Sequence, residues 1–271
     1  MSRLQSRVTP LHRAKLLALV SGVVCQASFF AAVAVMAIGL HGEMIGLSNT
    51  QTAGLGAIWN LLLLFFFPAL HSLLLSNKGR KVVAALLPGE TGRHLVTTTF
   101  VTIASLQLIA LFLLWAHLGQ AEWRPPEAVR PIWEILYAAS WILLATAMVQ
   151  AGLGIQMGLL GWTSVLKGET PRYPSFSTGG LYTVCRHPVY FAMALVSCTG
   201  PVWNLDHAII AAVFTTYCVI GPIFKESRLE KQFGAKFSEF KKDRPFFPTP
   251  RSLLRALGLL EAATPSTKAR L

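Results

Sequence analysis

The chain has 271 residues, of which 53% are apolar and only 13% charged, with a mean hydropathy of +0.52. A soluble globular domain carries about 25% charged residues, so a water-soluble enzyme or carrier is excluded and a chain dissolved in lipid is expected. The net charge of +12 would suit nucleic acid, but no nucleic-acid motif accompanies it, and anionic lipid headgroups are the expected counter-charge.

A membrane-spanning helix needs roughly 20 mostly apolar residues. Leu16 to Leu40, Ala53 to Leu75, Leu95 to Leu118 and Ile132 to Leu160 meet that length. Two shorter runs follow, about Val189 to Trp203 and His207 to Phe224. The first run is too long, and too far from any small-residue cleavage site, for a removable signal peptide. These elements predict an all-α polytopic membrane protein with about six transmembrane helices in a single domain, residues 1–271. Three spans occupy 16–118, a second half 132–250, and 251–271 reads as a flexible tail.

Basic residues test that count independently. With the N-terminus inside, Arg3, Arg7, Arg13, Lys15, Lys78, Arg80, Lys81, Arg93, Lys167, Arg172, Arg186 and every basic residue from Lys225 onward fall on one side. Only Arg124 and Arg130 fall on the other, so 22 of the 24 lysines and arginines share a face. Cytoplasmic loops are the ones enriched in these residues. The pattern predicts a membrane protein with both termini cytoplasmic.

Polar residues are unevenly spread. Asn60, His71 and Gln107 interrupt the first three spans, where side chains of this kind most often hydrogen-bond between helices. The fourth span carries Gln150 and Gln156, then Gly152, Gly154 and Gly158. Such glycines either open a channel or allow helices to approach closely. The four cysteines form no metal-ligand or redox pair by spacing, and no metal site is expected.

Chemistry concentrates in two later blocks, GGLYTVCRHPVYF (Gly179 to Phe191) and KESRLEKQFGAKFSEFKKDRPFFP (Lys225 to Pro248). Pro188 biases His187 away from helical geometry and suits the first turn of the next helix. Arg186 adds a fixed charge with a planar fork of donors. The turn reads either as an anion-binding corner or as an interfacial anchor with a snorkelling arginine. Glu226 lies near the end of the last span, and Gly234 is placed to end that helix, with Phe237, Phe240, Pro245 and Pro248 beyond it. Both blocks would meet at one membrane face, joined by the last hairpin.

In combination, the Gly180-Leu181-Tyr182 turn, Arg186-His187-Pro188, Tyr190, Glu226 and the aromatic segment closed by two prolines resemble the integral membrane methyltransferases. That group includes isoprenylcysteine carboxyl methyltransferases and phospholipid N-methyltransferases. The bacterial methanethiol S-methyltransferase type is the more similar, through PALHSLLLSNKGRKVVAALLP (Pro68 to Pro88) and GRHLVTTTF (Gly92 to Phe100). The resemblance implies an S-adenosylmethionine pocket formed by the C-terminal helical hairpin and the cytoplasmic tail. Gly180, Leu181, Tyr182, Arg186, His187, Pro188, Tyr190 and Glu226 would line it, with Arg186 and His187 in catalytic roles and Glu226 facing the cofactor's ammonium. Two departures stand out: Lys225 replaces the first of two successive glutamates, and Phe237 and Phe240 replace tyrosines.

The acceptor of the methyl group is expected to be a small thiol or a lipophilic molecule, reached laterally past Gln156 and Trp162, with membrane lipids as the other partner. Isoprenylcysteine carboxyl or phospholipid methylation are alternatives within the same chemistry. A different class is a haem-binding protein resembling zeta-carotene isomerase, with His71, His94 and His117 as candidate axial ligands.

Overall fold

The structure, a computed structural model, describes residues 2–42, 44–46, 53–118 and 121–259. Among these, every regular element is helical. Five helices have the length and apolarity to cross a membrane. They are α1 (Ser2–His41), α2 (Ala53–Leu75), α5 (Val96–Leu113), α6 (Arg130–Gln156) and α9 (Leu205–Phe233). The protein is a polytopic membrane protein, as the run lengths predict. Its exposed apolar surface confirms the solvent: Leu16, Phe30, Leu61, Phe65 and Ile142 all point outward, where water would penalise them and lipid does not.

The last hairpin departs from two short spans. Its first arm is α8 (Pro188–Cys198), only eleven residues long. Its second arm, α9, extends two further turns past Phe224, through Lys225 and Glu226 to Phe233. Within that continuation Glu226 and Glu230 are paired by neighbouring elements, and Lys225 lies over the Tyr190 ring. Gly234 ends α9 with φ +52, as its position in the sequence suggests, and α10 (Ala235–Asp243) turns back from it. A further helix, α11 (Pro250–Ala256), opens with a reciprocal Thr249–Ser252 capping box, so the segment read as a tail begins in ordered helix. Residues 260–271, with Lys268 and Arg270, lie outside the described residues.

Short helices connect the spans at the basic end: α3 (Asn77–Ala85), α4 (Gly89–His94) and α7 (Leu159–Lys167). Two apolar cores result. One, around Met36, Leu40, Phe112, Trp115, Ile210 and Phe214, lies toward the opposite end. The other, around Ala18, Leu95 and Val165, lies at the basic end and takes in Trp162. Gly158 enters α7 with φ +70, and a Cβ there would meet Cys25 Sγ at 2.8 Å and Val101 at 3.1 Å. Close helix approach, not an open channel, is therefore the role of Gly158. Thr98 completes that seam by donating to the Gly158 carbonyl at 2.8 Å.

Candidate functional site

The site is organised around the corner before α8. The helix α6 breaks at Gly152, whose φ of 97° and ψ of 99° are non-helical. The break leaves the Gln150 carbonyl to accept from Ser177 Oγ at 2.6 Å, while Gln150 Oε1 accepts from the Leu181 N–H at 2.6 Å. That side chain fixes a 3-10 turn, Gly180–Thr183. Gly180 sits at φ +60, and a Cβ there would lie 2.5 Å from Gln150 Oε1, so geometry and space both require glycine. Tyr182 is buried, and burial pushes its phenol up to about 12. Cys185 is likewise pushed up to about 11 by burial, which keeps it a thiol.

Arg186, His187 and Glu226 converge. Glu226 Oε1 accepts from Arg186 Nε at 2.7 Å and from His187 Nε2 at 2.8 Å. Its Oε2 accepts from the Lys241 ammonium of α10 at 2.9 Å. A carboxylate so placed is 5% exposed and is held ionised by its donors. Lys241 itself, whose side chain is 41% exposed, also reaches Glu230 at 2.9 Å. The two carboxylates hold it above the ordinary lysine value.

The C-terminal segment closes over this corner. Arg186 donates through Nη1 to the Lys241 carbonyl at 3.2 Å and to the Arg244 carbonyl. The Arg186 backbone N–H donates to the Pro245 carbonyl at 2.9 Å. Phe246 packs against the His187 ring at 4.7 Å and lies under the Arg186 guanidinium at 5.6 Å. Burial pulls His187 down to about 4, more than its bond to Glu226 raises it. The ring is thus neutral near pH 7: Nε2–H serves Glu226, and Nδ1 is buried with no partner among the described residues. An orphaned acceptor in a native interior points to a ligand or to function.

Lys225 stands over the Tyr190 ring at 5.7 Å, and Tyr190 lies edge-on to His187 at 6.0 Å. Phe237 and Phe240 join Phe233 around Phe176, at centroid distances of 5.1 to 5.3 Å. Their missing hydroxyls are replaced by an all-apolar plug. The geometry therefore brings together Gly180, Leu181, Tyr182, Arg186, His187, Pro188, Tyr190 and Glu226. It does not bring Trp162 to them. That indole packs on Gly22 of α1, where a Cβ would fall 2.5 Å from the ring. Gln156 ends α6 four residues beyond the break.

The three histidines of the haem reading do not assemble. His94 closes α4 just before α5, and His117 follows the other end of that 18-residue helix, roughly 27 Å away at 1.5 Å per residue. His117 instead faces Asp206 at 3.5 Å. Among the described residues no cluster of three metal-ligating side chains occurs.

Lys241, Phe246, Gln150 and Phe176 are members of the site that sequence reasoning did not assign. Only Gln150 left a trace, as a polar residue in an apolar run. The site fits a small sulfonium methyl donor on three counts. Glu226 Oε2 already holds an ammonium, Gly180 offers bare backbone, and His187 Nδ1 lacks a partner.

Comparison with known proteins agrees with the resemblance carried by the two motif blocks. The family model described as NnrU protein matches residues 60–263. Methanethiol S-methyltransferase 1 of Bradyrhizobium diazoefficiens is 28% identical over 197 residues, 72% of this chain and 67% of that protein. Methanethiol S-methyltransferase of Pseudomonas deceptionensis is 27% identical over 211 residues, covering 73% and 77%. Methanethiol S-methyltransferase 2 of Bradyrhizobium diazoefficiens is 26% identical over 250 residues, covering 89% and 91%. No solved structure matches the chain.

Proposed function

The chain belongs to the NnrU protein family, and from that premise we propose that it is a membrane methyltransferase moving a methyl group from S-adenosylmethionine to a small thiol. The observation that carries this reading is the buried Glu226 carboxylate, gripped by Arg186, His187 and an ammonium-bearing side chain. The names of the relatives supply the thiol. When bound, the donor supplies a methyl group activated on a positively charged sulfur.

The protein's own contribution is placement. Gly180, Leu181, Tyr182, Pro188 and Tyr190 form the walls. Glu226 receives the donor's ammonium, and Arg186 and His187 hold Glu226 in position. Positioning of this kind can contribute roughly 7–11 kcal/mol to a bimolecular step. Lys225, in place of a glutamate, makes the rim more cationic and so favours a thiolate over a neutral or cationic acceptor. The basic end faces the cytoplasm of a bacterial inner membrane in this reading, where S-adenosylmethionine is made, and 22 of 24 basic residues support that orientation.

The direct test is to incubate the purified protein in detergent with S-adenosylmethionine and methanethiol and to measure dimethyl sulfide. Steady product formation is expected. Transfer to prenylcysteine carboxylate or to an amine headgroup, with none to thiols, would replace this reading by one of the lipid-acceptor alternatives.

A further inference from the structure

The basic end of the bundle holds a groove that none of the donor-corner residues line. It lies between α3 and α4, against the first residue of α5, and has a volume of about 700 Å³. Small-molecule sites typically measure about 300–1,000 Å³. Three cationic side chains, Arg80, Lys81 and Arg93, line the groove together with Ala84, Leu87 and Val96, and no carboxylate lines it. Tight backbone contacts set its walls. Ser76 caps α3 by accepting from the Gly79 N–H at 3.0 Å. A Cβ on Gly79 would collide with the Leu73 carbonyl oxygen, so α3 sits hard against the end of α2. A Cβ on Gly92 would collide with the Ala84 and Leu87 carbonyl oxygens, so α4 is pressed equally closely onto α3.

The charges of the groove are left available. The Arg80 guanidinium lies over the Tyr173 ring at 5.5 Å, and the Tyr173 hydroxyl shares a hydrogen bond of 2.9 Å with Thr97 Oγ1. That platform orients the guanidinium while using none of its N–H donors. Arg80 and Lys81 have no carboxylate partner among the described residues. Arg93 has one, Glu90 at 3.3 Å, in a solvent-exposed pair of the kind that contributes little. Apolar surface accompanies the charge, because Val82 and Leu86 of α3 point outward beside it. The helices that form the groove join the spans α2 and α5, so it opens where those two spans leave the bilayer.

Independently of the methyl-transfer reading, we propose that this groove binds the phosphate diester headgroup of an anionic phospholipid from the surrounding bilayer. Arg80 meets the phosphate as a planar fork of donors and Lys81 as a compact point charge. The acyl chains leave along Leu86 and Val82. Basic pockets at the cytoplasmic ends of membrane helices recognise anionic headgroups by this chemistry. A free phosphate would satisfy the charges but leave Ala84, Leu87 and Val96 against water. A zwitterionic headgroup would bring its own cation among three others.

The test is native mass spectrometry of the full chain in detergent, titrated with dioleoyl phosphatidylglycerol, dioleoyl phosphatidylcholine or glycerol 1-phosphate. Wild type should retain one phosphatidylglycerol roughly tenfold more tightly than phosphatidylcholine, and should not retain glycerol 1-phosphate. A Lys or Arg beside an anionic headgroup is worth about fivefold in affinity. The double variant Arg80→Gln, Lys81→Gln should therefore bind phosphatidylglycerol about tenfold or more weakly. The pair Lys231→Gln, Lys242→Gln removes equal charge from the same end outside the groove, and should stay within about twofold. Ala84→Phe fills the groove without changing the charge and should also lose the lipid; if the double groove variant does not fold, Ala84→Phe decides the matter. Equal weakening in the two double variants, or unchanged binding in Ala84→Phe, reduces the groove to ordinary surface charge and overturns the site. Glycerol 1-phosphate bound as tightly as phosphatidylglycerol overturns the lipid in favour of a soluble phosphate ester.

Discussion

The two ends of the helical bundle are both polar, yet they use polarity differently. At the end away from the basic loops, the fully buried polar side chains bind backbone. Asn60 Nδ2 donates to the Ala116 carbonyl at 2.7 Å while Asn60 Oδ1 accepts from the Ala116 N–H at 2.9 Å. Buried Asp206 accepts from the Leu118 N–H at 3.2 Å, and His207 bonds the Ser197 carbonyl at 2.9 Å. Trp123 and Trp203 exchange a pair of backbone bonds. These contacts clamp loops onto helix ends. At the basic end a buried carboxylate, Glu226, accepts from the side chains of Arg186, His187 and Lys241; His187 Nδ1 and His71 Nδ1 have no partner among the described residues, as has His207 Nδ1 at the other end. The contrast lies in the two buried carboxylates: Asp206 accepts from the backbone, whereas Glu226 accepts from side chains that gather at one corner. The comparison assigns stability to one end and chemistry to the other.

The largest expected effect comes from Glu226→Ala. It strands Arg186 and Lys241 without their carboxylate, and breaking a buried ion pair from one side costs about 3–5 kcal/mol. Donor affinity should fall about ten- to a hundred-fold, the loss of one bond to a charged group. Asn60→Ala should show the reverse pattern. Losing its partners leaves buried amide groups unpaired, at about 1–3 kcal/mol, so thermal stability drops while donor affinity in the folded protein is unchanged. If Asn60→Ala weakened donor binding as much as Glu226→Ala, the division between the ends would be wrong.

Gly180→Ala is expected to cost about 1–2 kcal/mol through its left-handed backbone, and more through contact with Gln150. Calorimetry should show weaker donor binding with the fold retained. Acidification sharpens the comparison in another way. His187 has a folded value of about 4, below the 6.5 of a free imidazole. Between those values the unfolded chain binds the extra proton, so stability rises with pH there and is lost as pH falls from 6.5 toward 4. A thermal-melt series should show that loss reduced in His187→Gln. The smallest effect is the most diagnostic in sign. Lys241 occupies Glu226 Oε2, where the donor's ammonium is to bind, so Lys241→Met should tighten donor binding a few-fold. Weaker binding would make Lys241 part of the donor site.

Much of this was legible from local pattern. Run lengths gave the long spans, and the Pro188 and Gly234 boundaries follow from the backbone chemistry of those residues. The approach of Arg186 and His187 to Glu226 followed from one hairpin placing two blocks at one face. What stayed hidden depends on contacts between distant segments. Lys241 reaches Glu226 only because α10 folds back after the positive φ of Gly234. Phe246 covers His187 because Arg186 ties down the chain around Pro245. Gly158 read as room because Cys25 and Val101, which fill the space, come from α1 and α5. His71 read as an interhelical hydrogen bonder, yet its Nδ1 is buried among rings with no partner among the described residues.

The central claim, that the Arg186–His187–Glu226 corner is a methyl-donor site, is tested most directly by calorimetric titration of S-adenosylmethionine into wild type, Glu226→Ala and Asn60→Ala in one detergent. The account predicts saturable binding to wild type and Asn60→Ala with matching affinity, and binding at least tenfold weaker to Glu226→Ala. No binding to wild type, or equal affinity for wild type and Glu226→Ala, would contradict it.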